Sequence, residues 1–223
     1  MRPHSSSSSR GSAVSKVVLL EFALLALGLS GCQHQIKFQD IGYTVANKQT
    51  DAALVAVITP QTIAQTVSIR SFMTGIAHNW EAQPGEMLQQ VAEMEFPQMF
   101  RHYRTASAYE EPKEGARRIT VELSVPHYDF SDFHTTLMVR AVAYRPGHIL
   151  AFDKTYREEG DTQGGKMFWG GPFAMKSAVR QSSFDAFKKV FTKLRGDLAT
   201  ALGDPGSASR RTVGKPLASA AVR

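Results

Sequence analysis

Cysteine is nearly absent from this chain, whose 223 residues include a single one. One thiol excludes an internal disulfide framework and any site built from several thiolates. Long apolar runs are missing too: the stretch at residues 17–31 contains Glu21 and is shorter than the roughly 20 residues that a membrane-spanning helix needs. Hydrophobic residues make up 43% of the chain and charged residues 21%. This composition is ordinary for a folded protein and excludes wholesale disorder, collagen-like repeats and a polytopic membrane protein.

The amino-terminal residues have the layout of an export signal. A polar, serine-rich segment containing Arg2, Arg10 and Lys16 precedes the apolar stretch, and small residues then lead to the single cysteine, Cys32. A basic segment followed by about 7–15 apolar residues and then small residues is typical of secretory signals. We therefore predict that residues 1–31 are a signal peptide that is removed from the mature protein.

The end of this segment, Leu29-Ser30-Gly31-Cys32, resembles the lipobox of bacterial lipoproteins. In that family the signal is cut before the cysteine, whose sulfur receives a diacylglycerol and whose new amino group is then acylated. The resemblance therefore implies that Cys32 is lipidated, with acyl chains that contribute about 0.8 kcal/mol per buried methylene to membrane binding. The alternative is a free cysteine buried in a core helix.

The predicted lipoprotein signal also bears on which membrane the protein is sorted to and on where its net charge lies. Gln33, rather than Asp, comes after Cys32, which in the family favours the outer membrane, so we expect a lipoprotein anchored there and facing the periplasm. The formal net charge of +6 comes from the signal and from residues 205–223, which we predict to be a disordered basic tail. Basic and acidic residues balance over 33–204, so we expect no nucleic-acid binding by the fold.

Hydrophobic periodicity predicts one α+β domain over residues 53–204, joined to the lipid by a tether at residues 32–52. The predicted strands, the second of which could also be a loop edge, are at residues 53–58, 66–73, 119–125, 135–144 and 149–157. The predicted helices are at residues 85–96, ended or kinked by Pro97, and at residues 184–202. We expect a mainly antiparallel sheet of about four strands with two helices packed on one face.

A glycine-rich loop is predicted at residues 160–171, and its spacing matches the phosphate-binding pattern GxxxxGK. Met167 stands where that pattern needs a Ser or Thr hydroxyl for magnesium, so we expect no nucleotide site. The same loop carries Met167, Phe168 and Trp169, with Phe173 just beyond, and these apolar groups predict an interaction loop that inserts into a partner or lipid. The alternative is that Trp169 folds back under the last helix as part of the core.

The sequence has few groups of residues that could form a catalytic or metal site. His127, Asp129, Asp132 and His134 are ligand-type residues between two predicted strands, but loops after strands often carry Asp and His for turn geometry and solvation alone. The chain has no GxSxG elbow and no helical HExxH pair, and its one thiol is assigned to lipid. We expect no catalytic residue, no metal and no cofactor, and thus a protein that is not an enzyme.

The layout of the mature chain is similar to that of YajG-like and ABC-transport auxiliary lipoproteins. The features that carry this resemblance are the lipobox, a strand leading to the helix at residues 85–96, the meander at residues 119–157 and the terminal helix. The resemblance implies a non-enzymatic accessory subunit of an envelope transport or assembly complex, bound to membrane lipid through Cys32 and to envelope proteins or copies of itself.

Two alternatives remain open at this point. One is a periplasmic metal-dependent hydrolase that uses His127, Asp129 and His134. The other is a surface-exposed lipoprotein whose basic tail binds an anionic polymer.

Overall fold

The computed structural model describes residues 32–36, 38, 49–69, 78–111 and 117–203. The described part of the chain is an α+β fold with two mixed sheets, one of five strands and one of three. Its elements, in chain order, are β1 (Cys32–Ile36), β2 (Thr50–Val57), α1 (Pro60–Ile63), β3 (Val67–Ile69), β4 (His78–Ala82), α2 (Pro84–Met99), β5 (Phe100–Ala106), β6 (Arg118–Ser131), β7 (His134–Arg145), β8 (Ile149–Glu159) and α3 (Gly164–Ala201). The predicted signal peptide, including Leu29, Ser30 and Gly31, and the predicted tail lie outside the described residues.

The larger sheet has the strand order β5-β2-β6-β7-β8. Strands β6, β7 and β8 form the predicted antiparallel meander. The expectation of a mainly antiparallel sheet of four strands is wrong in two respects, because β2 is parallel to both β5 and β6 and because β5 is an additional strand. The alternation of β5 is hidden by its exposed cations Arg101 and Arg104, which are typical of an edge strand.

The two parallel connections lie on opposite faces of this sheet. From β2 the chain reaches β5 through α2, which packs on the face that carries the buried Ile119 and Val121. From β5 the chain returns across β2 to β6, and a right-handed connection in that direction must use the other face. It does so: the Thr120 hydroxyl donates to the Glu110 carbonyl at 2.8 Å, and Tyr109 packs edge-on against Tyr144 at 5.3 Å. The helices therefore cover one face, and Tyr109 and Glu110 lie on the other.

The smaller sheet changes the expected start of the domain. Its order is β1-β4-β3, with β1 parallel to β4. Ile36 is fully buried, and Phe38 is 4% exposed with its ring edge-on to Phe184 and Phe187 of α3 at centroid distances of 5.9 and 6.1 Å. The segment at residues 32–52 was expected to be a tether, but the structure places Cys32–Ile36 in a strand and Phe38 in the core.

Helix α2 begins at the predicted position and runs past its internal proline. Pro84 occupies the first turn, where its missing N–H costs nothing. Pro97 lies in the last turn, the helix continues to Met99 and β5 follows directly. A Cβ on Gly85 would lie 1.6 Å from the Thr62 carbonyl oxygen, so only glycine allows α1 and α2 to approach this closely.

Helix α3 is much longer than predicted. Its apolar stripe is confirmed, since Phe187, Phe191 and Leu194 are fully buried. The predicted loop at residues 160–171 is wrong from Gly164 onward, because that stretch is helical up to a kink at Gly171, whose φ of 52° is non-helical. Each glycine in a helix costs about 1 kcal/mol relative to alanine, and on this stretch the burial of Met167 opposes that cost.

A buried polar cluster joins α3 to the β6–β7 hairpin. The Tyr128 and Ser183 hydroxyls are 2.7 Å apart, and the Thr135 amide donates to the Ser182 hydroxyl at 2.8 Å. Burial raises the pKa of Tyr128 to about 12. A Cβ on Gly160 would lie 1.8 Å from the Ser182 carbonyl oxygen, so the chain between β8 and α3 passes directly against the helix. These contacts fix the level at which α3 crosses the sheet.

A buried charge lies between the two long helices. Glu95 of α2 is 2% exposed, and one of its carboxylate oxygens is 3.5 Å from the Arg195 guanidinium of α3. Burial raises the pKa of Glu95, while the positive charge of Arg195 opposes that shift. A paired charge at this position orients α2 against α3.

Candidate functional site

The amino-terminal part of α3 is held at the tip of the β6–β7 hairpin. The Gln163 amide donates to the Phe133 carbonyl at 2.7 Å, and the Gly160 amide donates to the Thr135 carbonyl at 2.9 Å. The helix then starts at Gly164, has a kink at Gly171 and continues to Ala201 along the sheet. Because Ser182 already lies level with Thr135, the kink is about ten residues, or roughly 15 Å of helix, further from that contact.

Three aromatic side chains project from this kink. Phe168 is 73% exposed, Trp169 is 87% exposed and Phe173 is 96% exposed. The rings of Phe168 and Trp169 touch edge-on, with centroids 5.2 Å apart. Large apolar side chains at such exposure are uncommon on a soluble surface, and apolar groups exposed in this way are typical of binding surfaces. We call Phe168, Trp169 and Phe173 the aromatic tip.

The structure divides the predicted interaction loop of Met167, Phe168 and Trp169. Met167 is fully buried, because successive residues of a helix point about 100° apart and its neighbours then face outward. Phe168 and Trp169 are exposed as an interaction surface requires, and the alternative in which Trp169 joins the core is wrong. Phe173 is the third residue of the tip and lies just beyond the kink at Gly171.

Only positive charge accompanies the aromatic tip along the sequence. Between Asp161 and Asp185 the charged residues are Lys166, Lys176 and Arg180, and no acid occurs. A surface that combines exposed aromatic rings with cations suits an anionic, amphipathic partner surface.

The predicted acylation site opens the first strand. Cys32 is the first residue of β1 and pairs with His78 of β4. Ile36, four residues later, is fully buried. No helix in the described part of the chain is long and apolar enough to cross a membrane. A lipid on Cys32 would therefore hold the domain directly at its first strand.

The predicted His and Asp cluster is spread along one sheet face. His127 and Asp129 lie on β6, and His134 pairs with Ser131 across the hairpin. At about 3.3 Å per residue, His134 is thus roughly 13 Å along the strand from His127. Asp129 instead accepts a hydrogen bond from the Ser131 hydroxyl at 2.7 Å. Among the described residues, no three ligand-type side chains converge on a metal position.

The segment that matches the phosphate-binding pattern GxxxxGK does not form an anion-binding loop. The Gly160 amide is taken by the Thr135 carbonyl, and Lys166 is exposed on the short helix before the kink.

A cleft of about 720 Å³ lies on the sheet face opposite the helices, beside β5, β2 and β6. Two of its arginines are paired with carboxylates: Arg101 contacts Asp51 at 2.7 Å, and Arg104 forms a two-point contact with Glu110. The Arg104 guanidinium holds the pKa of Glu110 below its usual range. Arg117 and Arg118 also line the cleft, whose acids are Asp51, Glu110 and Glu111, so the lining has a small excess of positive charge.

No protein-family model matches the chain, and no curated protein sequence does. Several solved structures resemble it. The Xanthomonas campestris protein XCC0632, described as DUF330, is 11% identical with a TM-score of 0.48, covering 79% of this chain and 98% of its own. An uncharacterized protein is 11% identical with a TM-score of 0.38, covering 73% and 97%. The hypothetical protein CT253 from Chlamydia trachomatis is 9% identical with a TM-score of 0.36, covering 66% and 98%. These descriptions name no activity, so no substrate or partner comes with them.

Proposed function

We propose that this chain is a lipid-anchored, non-enzymatic accessory subunit of a bacterial envelope transport or assembly complex. Acylated Cys32 holds it on the periplasmic side of the outer membrane, and the aromatic tip is its contact surface. The observation that carries the proposal is the exposure of Phe168, Trp169 and Phe173, at 73%, 87% and 96%. Exposing three large apolar side chains to water is unfavourable, and such exposed apolar groups are typical of binding surfaces.

Two further observations support the anchor. The sequence Leu29-Ser30-Gly31-Cys32 resembles a lipobox, and Cys32 is the first residue of β1. The hydrolase alternative gains no support from the geometry, since His127 and His134 lie about 13 Å apart along the strand.

Lipidation is tested by incorporation of labelled palmitate. Cys32→Ala removes the thiol that accepts the lipid, so we expect no incorporation and no cleavage of the signal. Gln33→Asp is the matched control, since it leaves the thiol in place; we expect it to incorporate palmitate normally and to move the protein from the outer to the inner membrane. Palmitate incorporation by Cys32→Ala would place the lipid elsewhere and overturn the anchor.

The contact surface is tested by complementation of a chromosomal deletion, scored as entry of a hydrophobic dye through the outer membrane. Trp169→Ser combined with Phe173→Ser removes apolar groups that are almost wholly in solvent, so we expect a folded protein that no longer complements. Ile149→Ser is the matched control, because Ile149 is also apolar and 58% exposed but lies at the β7–β8 turn. Loss of complementation by His127→Ala, with retention by the tip variant, would favour the hydrolase instead.

A further inference from the structure

We propose that the aromatic tip docks on an anionic phospholipid surface, so that the domain is held to the membrane at two points, the lipid on Cys32 and the tip itself. This inference rests on the proposed function, because it names what the contact surface of the anchored subunit meets.

The shape of the tip favours insertion into a soft surface. Its three aromatic side chains are each at least 73% exposed, so they stand out from the molecule and do not line a groove. They flank the kink at Gly171, whose backbone conformation (φ 52°, ψ −141°) is non-helical, with Trp169 two residues before it and Phe173 two residues after it. Tryptophan and its aromatic neighbours favour the region between lipid headgroups and acyl chains, where an apolar ring with a polar edge is best solvated.

The charge around the tip selects anionic headgroups. Lys166 is one turn or less from Phe168 and Trp169, and Lys176 is one turn from Phe173. No carboxylate occurs in the sequence between Asp161 and Asp185 to oppose them. Each lysine near a negatively charged bilayer strengthens association by about fivefold. A neutral or basic partner surface would gain nothing from the absence of acids in this segment and the presence of both lysines.

The anchor and the tip are attached to the same helix. Phe38, six residues after Cys32, packs against Phe184 and Phe187 of α3. The strand path from Cys32 to Phe38 covers at most about 20 Å, and the helical path from Phe184 up to Phe173 covers about 16 Å. A lipid on Cys32 therefore keeps the tip within reach of the same membrane surface. Docking then requires only that the domain tilt, and no linker has to unfold.

The chain provides its own probe, because it has two tryptophans, Trp169 in the tip and Trp80, which is 8% exposed. We would purify the acylated protein from membranes and reconstitute it in phosphatidylcholine vesicles with or without phosphatidylglycerol. The emission of wild type minus that of Trp169→Phe reports Trp169 alone. This substitution changes an exposed ring and leaves the core untouched, so both proteins fold alike.

With phosphatidylglycerol we expect the Trp169 emission to shift to shorter wavelength, to lose most of its quenching by iodide and to be quenched by lipids brominated near the glycerol end of the acyl chains. Lys166→Gln and Lys176→Gln should each lower the docking equilibrium constant about fivefold. The Trp80 emission, seen alone in Trp169→Phe, should remain unchanged and serves as the matched control.

The inference is overturned if Trp169 remains accessible to iodide and insensitive to brominated lipid in both kinds of vesicle. It is also overturned if iodide quenching is lost without brominated-lipid quenching, since that pattern means that a second copy or another protein covers the tip. Failure of the proposed function is separate, because the mass of the purified protein shows whether Cys32 carries lipid. If it carries none, the same vesicles added to the protein still test the tip.

Discussion

The packing of Phe38 gives a decisive test of where this domain begins. If residues 32–52 were a tether, a substitution at Phe38 would leave the stability of the domain unchanged. In the structure the ring is 4% exposed and touches Phe184 and Phe187 edge-on. Phe38→Ala should therefore destabilise the fold, whereas Gln35→Ala, on an exposed position of β1, should change the free energy of unfolding by no more than about 0.5 kcal/mol.

The expected size of the effect follows from the burial. A phenylalanine buries about 150–250 Å², which at about 25 cal/mol per Å² is an upper bound of roughly 4–6 kcal/mol. Measured Phe→Ala substitutions in cores cost about 3–5 kcal/mol, including the cavity that is left. We expect a loss of about 4 kcal/mol, or a fall in melting temperature of roughly 10 °C for a chain of this length.

The measurement is urea unfolding of the protein in nonionic detergent, with Trp169→Phe as the common background, followed by far-ultraviolet circular dichroism and by the fluorescence of Trp80. Trp80 lies on β4 opposite His34 of β1, so it reports the small sheet, whereas circular dichroism reports the whole fold. Coincident transitions would show that the small sheet unfolds with the rest. A loss below about 1 kcal/mol in Phe38→Ala would show that β1 is not part of the fold and would restore the tether.

Two other predictions concern the kink and the buried hydroxyls. Gly171→Ala forces a side chain into a positive-φ conformation (φ 52°) and should lower the free energy of unfolding by about 1–3 kcal/mol. Gly165→Ala is the control: its Cβ would meet nothing within 4 Å, so it should raise the free energy of unfolding by up to about 1 kcal/mol. Equal effects of the two substitutions in urea unfolding would mean that no kink exists. Burial raises the pKa of Tyr128 from 10.0 to about 12, so the folded state holds this proton more tightly than the unfolded state. The stability from Tyr128 is fully present below pH 10 and is lost as the pH rises towards 12, by about 3 kcal/mol in total. Tyr128→Phe should flatten that part of the decline in urea unfolding, and an unchanged slope would contradict the assignment.

The parts of the fold that the sequence predicts well are those with local periodicity. In the meander, Leu137, Val139 and Ala141 alternate with less buried neighbours, and in α3 the aromatic residues Phe187 and Phe191 recur at helical spacing. Hairpins and single helices bury one face with residues that are close in sequence, so their patterns are visible in a short window.

Strand β5 shows why other parts were not predictable. It follows α2 without a loop, and its exposed Arg101, His102 and Arg104 hide its alternation. It is a strand because β2, some fifty residues earlier, supplies a parallel partner. Periodicity within the segment carries no record of that partner, since a parallel pairing is made between distant stretches of chain.

The sequence predicted part of the candidate site. It predicted that Phe168 and Trp169 are exposed, which the structure confirms, but the glycines around them predicted a loop. Met175, Ala178 and Val179 are spaced as a helix requires and extend the buried stripe of α3 towards the kink. That spacing was the signal that could have predicted a helix reaching back to the kink, because an apolar stripe at helical spacing is typical of a packed helix.

The sequence by itself determined the chemistry of adjacent residues and the faces of local elements: the lipobox-like end at Cys32, the meander and the stripe of the last helix. Only the tertiary structure decided which distant segments cover those faces, so that Phe38 is part of the core and Met167 is buried while Trp169 stands in solvent. The physical reason is that a sequence pattern shows that a side chain prefers burial, whereas burial itself depends on whether another part of the chain lies within contact distance.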